Sequence, residues 1–260
     1  MIAPLDSDQV APLYQQSSSA LDDYSSGGIE RPTSGQARRR FIQLTIRRTI
    51  AGLLTTAGVQ FTSPHWLLGQ TKLNPEAALK ELMDGNRRSA TNRRIADHSD
   101  LAALRKSTIE KQEPFAAVLS CADSRVPVEL IFDQSIGRLF VTRIAGNVVT
   151  SEIIASLEYG AAVLGTKVIL VMGHSNCGAV KAAIQGKGVP GQISALFAHI
   201  RPAVDQAGPN LEAATKMNAK LQATLLRQAS TVISDLVKEN KLKVVAGYYD
   251  LTSGSAALLD

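Results

Sequence analysis

Two short segments hold the residue types best suited to chemistry. One is Cys121-Ala122-Asp123-Ser124-Arg125. The other is His174-Ser175-Asn176-Cys177-Gly178. Together they contain both cysteines of the chain and one of its four histidines. Two thiolates, an imidazole and a carboxylate are a donor set for Zn²⁺, which takes sulfur, nitrogen and oxygen in tetrahedral geometry. In His174-x-x-Cys177 the spacing runs from a loop into a helix start and sets both side chains on one side of the turn. A helix N-terminus there would favour a thiolate at Cys177. Cys121-x-Asp123 offers the same pairing of donors at the other loop. Taken singly, each cysteine reads as an inert buried thiol and His174 as a core histidine. A redox disulfide is the other use of two thiols, but no Cys-x-x-Cys is present. Convergence of all four residues on one site favours zinc.

That convergence needs elements that bring distant loops together. The pattern is globular from residue 74. Asn74-Pro75-Glu76 starts a helix, with an N-cap, a proline at the first position and an acid in the first turn. Ala78, Leu79, Leu82 and Met83 form its apolar face, and Gly85 is expected to end it. A short helix follows Asp100. Strands are expected at Phe115–Ser120, Leu139–Arg143, Val168–Met172 and, last, Lys243–Tyr249. A helical turn is expected at Pro127–Phe132 and helices at Ser151–Leu164 and Cys177–Ile184. Two more helices fill Ile193–Asn240. The unbroken Val168-Ile-Leu-Val-Met172 run suits a strand covered on both faces. Repeated β-α-β order argues an α/β fold with a mostly parallel central sheet flanked by helices. In such a sheet, ligand chemistry sits beyond the carboxyl ends of the strands. Both segments fall there.

The chain has 260 residues, enough for one large domain and an appendage. It divides near residue 70. Residues 1–70 read as an N-terminal extension and residues 71–260 as the domain. The extension opens with a Ser-, Gln- and Gly-rich leader that reads as disordered. Five arginines and no acid then lie between Arg38 and Arg48. A moderately apolar stretch, Thr49 to Trp66, follows. Paired arginines, Phe41-Ile42 and an apolar segment resemble a twin-arginine export signal. This implies delivery to a periplasm or equivalent lumen. The competing reading is a basic amphipathic helix on a membrane surface or membrane complex, or a cytoplasmic protein whose arm packs on a partner. The net charge is +5, much of it in this arm, and aromatics are only 5%. That is too few for base stacking, so nucleic acid is not an expected partner. No apolar run approaches the ~20 residues of a transmembrane helix.

The segments C-A-D-S-R and H-S-N-C-G resemble the β-class carbonic anhydrases, whose pattern is C-x-D-S-R followed by H-x-x-C-G. The likeness extends over about residues 74–260. It implies one zinc per subunit, bound by Cys121, His174 and Cys177, with Asp123 or water in the fourth position. It implies reversible hydration of CO₂ to bicarbonate and a proton by zinc-bound hydroxide. Arg125 would hold Asp123 in a charge-assisted pair and so open the fourth position. Gln112 matches a glutamine that reaches substrate from the neighbouring subunit. Phe140 and Tyr159 match aromatic walls of the CO₂ pocket, and Gly178 would offer a backbone N–H. A homodimer or a higher even-numbered oligomer follows from the borrowed residues.

Some relatives bind bicarbonate at a second, regulatory pocket, with a Trp three residues before the first Cys and an Arg after the second strand. Here Val118 occupies the first position and Arg143 the second. The missing Trp, with Gln112, points to the plant-like subtype. Two other functions are compatible with the motifs. One is a zinc-containing bicarbonate-binding or regulatory subunit with little turnover. The other is a CS₂ or COS hydrolase on the same fold.

Overall fold

The computed structural model describes residues 71–96, 101–187 and 189–259. The readings of residues 1–70, including the export signal, lie outside them.

Helix α1 spans Pro75–Ala90. Asn74 caps it, its Oδ1 accepting the Ala77 N–H at 2.8 Å. Gly85 does not end this helix, contrary to expectation. It is buried inside it because the backbone of the segment after the next strand passes there. A Cβ at Gly85 would lie 2.0 Å from the Phe132 carbonyl oxygen. The helix stops five residues later, where Thr91 caps it and Asn92 turns left-handed. Gly85→Ala is therefore expected to lower stability by about 1–3 kcal/mol through forced displacement of backbone. An unchanged midpoint in urea unfolding would contradict this.

Helix α2 spans Leu101–Thr108 and leads to strand β1, Ala116–Ser120. Helix α3 (Val128–Ile131), strand β2 (Leu139–Arg143) and a 3₁₀ turn (Ala145–Asn147) follow. Helix α4 covers Ser151–Glu158 and widens into a π turn, Tyr159–Val163. Periodicity had suggested one unbroken helix here. Strand β3 is Val168–His174 and helix α5 is Gly178–Gln185.

The stretch expected to hold two helices holds three: α6 (Ala195–Ala207), α7 (Leu211–Ala229) and α8 (Thr231–Lys238). Asn210 and Ser230 cap the last two with side-chain oxygens. Strand β4 is Lys243–Tyr249, as expected, but it is not last. Strand β5, Ala256–Leu259, pairs with it antiparallel. Its Ala-Ala-Leu-Leu sequence lacks the β-branched residues that mark the others.

The sheet order is β2-β1-β3-β4-β5, with every pair parallel except the last. Alternate residues of each strand serve opposite faces. Ala117, Leu119, Ile169, Val171, Val244 and Ala246 pack with α4, α7 and α8. Ala116, Val118, Val168, Leu170 and Met172 pack with α1 and α3. This is the α/β sandwich the sequence implied.

From β1 the chain moves to one neighbour, β2, and then returns past β1 to β3 on the other side. The sheet thus has its switch point between β1 and β3, and open α/β sheets place their ligands beyond the carboxyl ends of the strands at such a point. Among the described residues no helix is long and apolar enough to cross a membrane.

Candidate functional site

Register places the two chemical segments side by side. Ser120 of β1 pairs with Met172 of β3, so Cys121 emerges beside Gly173 and His174. Cys177 follows three residues on, as the N-cap of α5. A third, smaller apolar cluster surrounds both cysteines, with Val148, Val180, Ala183 and Ile200. Cys121, His174 and Cys177 are all buried, and their ligand atoms lie within 4.8 Å of one another. Ligands at 2.0–2.3 Å from one tetrahedral zinc stand roughly 3.5–3.8 Å apart, so a small contraction would close the set on an ion.

The imidazole is oriented for this use. His174 Nδ1 lies 2.9 Å from the Ser175 carbonyl oxygen, which only accepts, so Nδ1 carries the proton. Nε2 is then the lone-pair nitrogen, and it is buried without a hydrogen-bond partner. A buried, unpartnered acceptor beside two sulfurs fits a metal ion.

The two thiols are electrostatically unequal. The Cys177 thiol donates to Cys121. Burial opposes ionisation, but that donation and the Gly146 and Asp123 N–H groups pull the Cys121 thiol well below the usual thiol range. Cys177 is pushed up by the same Cys121 sulfur and by burial. The N–H groups of Val180 and Ala179 at the helix start do act in the expected direction on Cys177, yet they are outweighed. A divalent cation would supply the charge that makes both sulfurs thiolates.

Asp123 stands beside the cluster, its Oδ2 3.9 Å from His174 Nε2. Arg125 grips it in a fork: Nε donates to Oδ1 at 2.9 Å, an η-nitrogen to Oδ2 at 2.8 Å, and the backbone N–H to Oδ1 at 3.0 Å. The Arg125 guanidinium thus holds the Asp123 carboxyl well below the usual carboxylate range. The same guanidinium donates to the Asn176 carbonyl at 3.2 Å, tying one ligand loop to the other.

In sequence Arg143 matched one position of a regulatory pocket whose other position, Val118, did not match. In the structure it donates to the backbone carbonyls of Cys121 and Asp123 and shapes the loop that carries them. Gly146, which the sequence reading did not single out, donates its N–H to Cys121 Sγ at 3.3 Å. It sits at φ +76°, and a Cβ there would lie 2.8 Å from Ile200.

Of the remaining sequence candidates, Gly178 adjoins the cluster and the others lie away from it. Gly178 is the first residue of α5, next to Cys177, and exposed. Phe140 and the half-exposed Tyr159 meet at a tilt of 45° with ring centroids 6.2 Å apart. Phe140 pairs with Ala117, toward the amino end of the strands. Gln112 is exposed and precedes β1, at the end of the sheet opposite Cys121. The fold therefore does not bring Gln112 into the site of its own chain.

The family model described as carbonic anhydrase matches residues 116–256, more than half of the sequence. The chain belongs to the β-class carbonic anhydrases. It is 33% identical over 206 residues to carbonic anhydrase 2 of Mycobacterium tuberculosis, covering 72% of this chain and 94% of that one. The carbonic anhydrase of Mycolicibacterium smegmatis is 32% identical over 196 residues, covering 71% and 93%. The solved β-carbonic anhydrase of Coccomyxa, in complex with acetazolamide, superposes with a TM-score of 0.55 at 25% identity, covering 70% of this chain and 86% of that one. The fold is also that of a β-carbonic anhydrase from Aspergillus fumigatus, with a TM-score of 0.57 at 24% identity and coverage of 71% and 90%. In this carbonic anhydrase both characteristic segments, and the strands that present them, fall inside the matched region.

Proposed function

We propose that this carbonic anhydrase hydrates CO₂ reversibly to bicarbonate and a proton, using one zinc ion held by Cys121, His174 and Cys177. The observation that carries the reading is the buried set of two sulfurs and an unpartnered Nε2 within 4.8 Å, next to an arginine-locked carboxylate. Zinc held there supplies the Lewis acidity that makes a hydroxide nucleophile available near neutral pH. The chain's own groups do the rest. Arg125 keeps Asp123 ionised and held in its fork. A carboxylate oxygen has more than one lone pair. Asp123 Oδ2 can therefore serve Arg125 and still accept a hydrogen bond from the attacking hydroxyl, aiming it at carbon. In this reading the Gly178 N–H, at the start of α5, meets the charge that develops on the product.

A second copy of the chain completes this reading. Strand β2 is a sheet edge, and Phe140 and Tyr159 lie partly exposed beside it. A partner docked there would bring Gln112 and the aromatic pair toward the metal centre. Such an arrangement makes an even-numbered oligomer the working unit. The plant-like subtype belongs to the same proposal. Val118 is fully buried between β2 and β3, and the Arg143 guanidinium is committed to two carbonyls. Neither is arranged to hold a second bicarbonate.

The test is stopped-flow CO₂ hydration together with zinc content, followed over about pH 6–9. Activity is expected to rise in proportion to bound zinc. Background turnover in fully loaded protein would reject catalysis and favour a bicarbonate-binding role.

A further inference from the structure

Helix α7 buries two primary amides on a face that also carries Ala214, Thr215, Ala219, Ala223 and Leu226. Asn218 is 0% exposed and Gln222, one turn later, 3%. Burying an amide is costly unless its groups are bonded, so their partners define their role. Gln222 Oε1 accepts the Val149 N–H at 2.7 Å, and its Nε2 donates to the His199 carbonyl at 3.0 Å and to Asn218 Oδ1 at 3.3 Å. Asn218 Nδ2 donates to the Gly146 carbonyl at 2.8 Å. The orientations are fixed by their partners. Val149 N–H can only donate and Gly146 C=O can only accept, so neither amide can be flipped without losing a bond.

The two side chains thus hold both ends of the segment Gly146–Val149. Its near end presents the Gly146 N–H to Cys121 Sγ at 3.3 Å. Hydrogen bonds to a ligating sulfur withdraw charge from it and tune the metal it binds. We infer that Asn218 and Gln222 are positioning residues, a buried amide relay through which α7 holds the Gly146 N–H on the Cys121 thiolate and sets its electron donation to the metal. This rests on the zinc reading above and adds residues far from the two characteristic segments.

The test uses the full chain loaded with cobalt(II), whose thiolate charge-transfer absorption reports sulfur electron density. Asn218→Leu and Gln222→Leu are each expected to move that band to longer wavelength and to weaken metal affinity about 10–100-fold. Leu226→Ala, on the same buried face, is expected to lower the melting temperature without moving it. An unmoved band in both leucine variants at full cobalt occupancy would overturn the relay. Should those variants not fold, the unsubstituted chain loaded with ¹¹³Cd decides the matter. A through-bond coupling between the Gly146 amide proton and cadmium supports the relay, and its absence overturns it. Failure of the zinc reading looks different, because the unsubstituted chain would then take up neither cobalt nor cadmium.

Discussion

Cys177→Ser is expected to leave the purified chain with less than about one-tenth of its zinc and with CO₂ hydration at background. The Cys177 sulfur is fully buried, capping α5 and facing Cys121. A serine hydroxyl in its place ionises far less readily than a thiol and is a poor zinc ligand, so only Cys121 and His174 remain. Zinc bound by small structural sites contributes on the order of 10–16 kcal/mol to folding, and part of that coupling should be felt here. The variant should therefore also melt at lower temperature. Added zinc should raise the melting temperature of the parent protein and leave the variant unmoved. Near-stoichiometric zinc in Cys177→Ser, measured by elemental analysis, would contradict the ligand assignment. Loss of zinc with unchanged turnover would separate the metal from the chemistry.

The ligand loops were legible because their residue types are rare in this chain and their spacing is short. Strands β2 and β4 were legible to the residue because each is an apolar, β-branched run. Those signals are local. What escaped the sequence is either a backbone group or a contact between distant residues. Gly146 acts through its N–H, which no side-chain pattern records. Asn218 and Gln222 act on a turn some seventy residues earlier, and a buried amide reads in sequence like a surface one. Gly85 shows the converse error. Glycine often ends a helix, but here it admits the Phe132 carbonyl, a contact set by tertiary packing. The division of Ile193–Asn240 into α6, α7 and α8 is the local exception, marked by the side-chain caps Asn210 and Ser230. Gln112 illustrates another limit, since its proposed role needs a second chain.

Asp123→Asn is expected to keep one zinc per chain and lose about 10²–10³-fold in turnover. None of the three zinc donors is altered, so metal content should stay at the parent level. The site loses an acceptor. The Asp123 carboxylate receives two guanidinium hydrogen bonds and one from backbone, all on oxygens. An asparagine must turn its NH₂ toward one of those donors, or toward the cluster where the attacking hydroxyl needs an acceptor. Either way one required bond is lost. Arg125→Ala should reduce turnover by a different route. It removes the fork and leaves the Asp123 carboxylate free, with Oδ2 already 3.9 Å from His174 Nε2. A released carboxylate beside a dication is a natural fourth ligand, so this variant should hold zinc at least as tightly as the parent against a chelator. The two substitutions thus fail with different signatures. Asp123→Asn is slow with unchanged zinc retention, whereas Arg125→Ala is slow with equal or greater retention. Arg125→Lys supplies charge without the fork and should fall between Arg125→Ala and the parent in turnover. Parent-like rates in Asp123→Asn would remove Asp123 from the mechanism. Faster zinc loss in Arg125→Ala would show that the arginine supports the ligand loops instead of restraining the carboxylate.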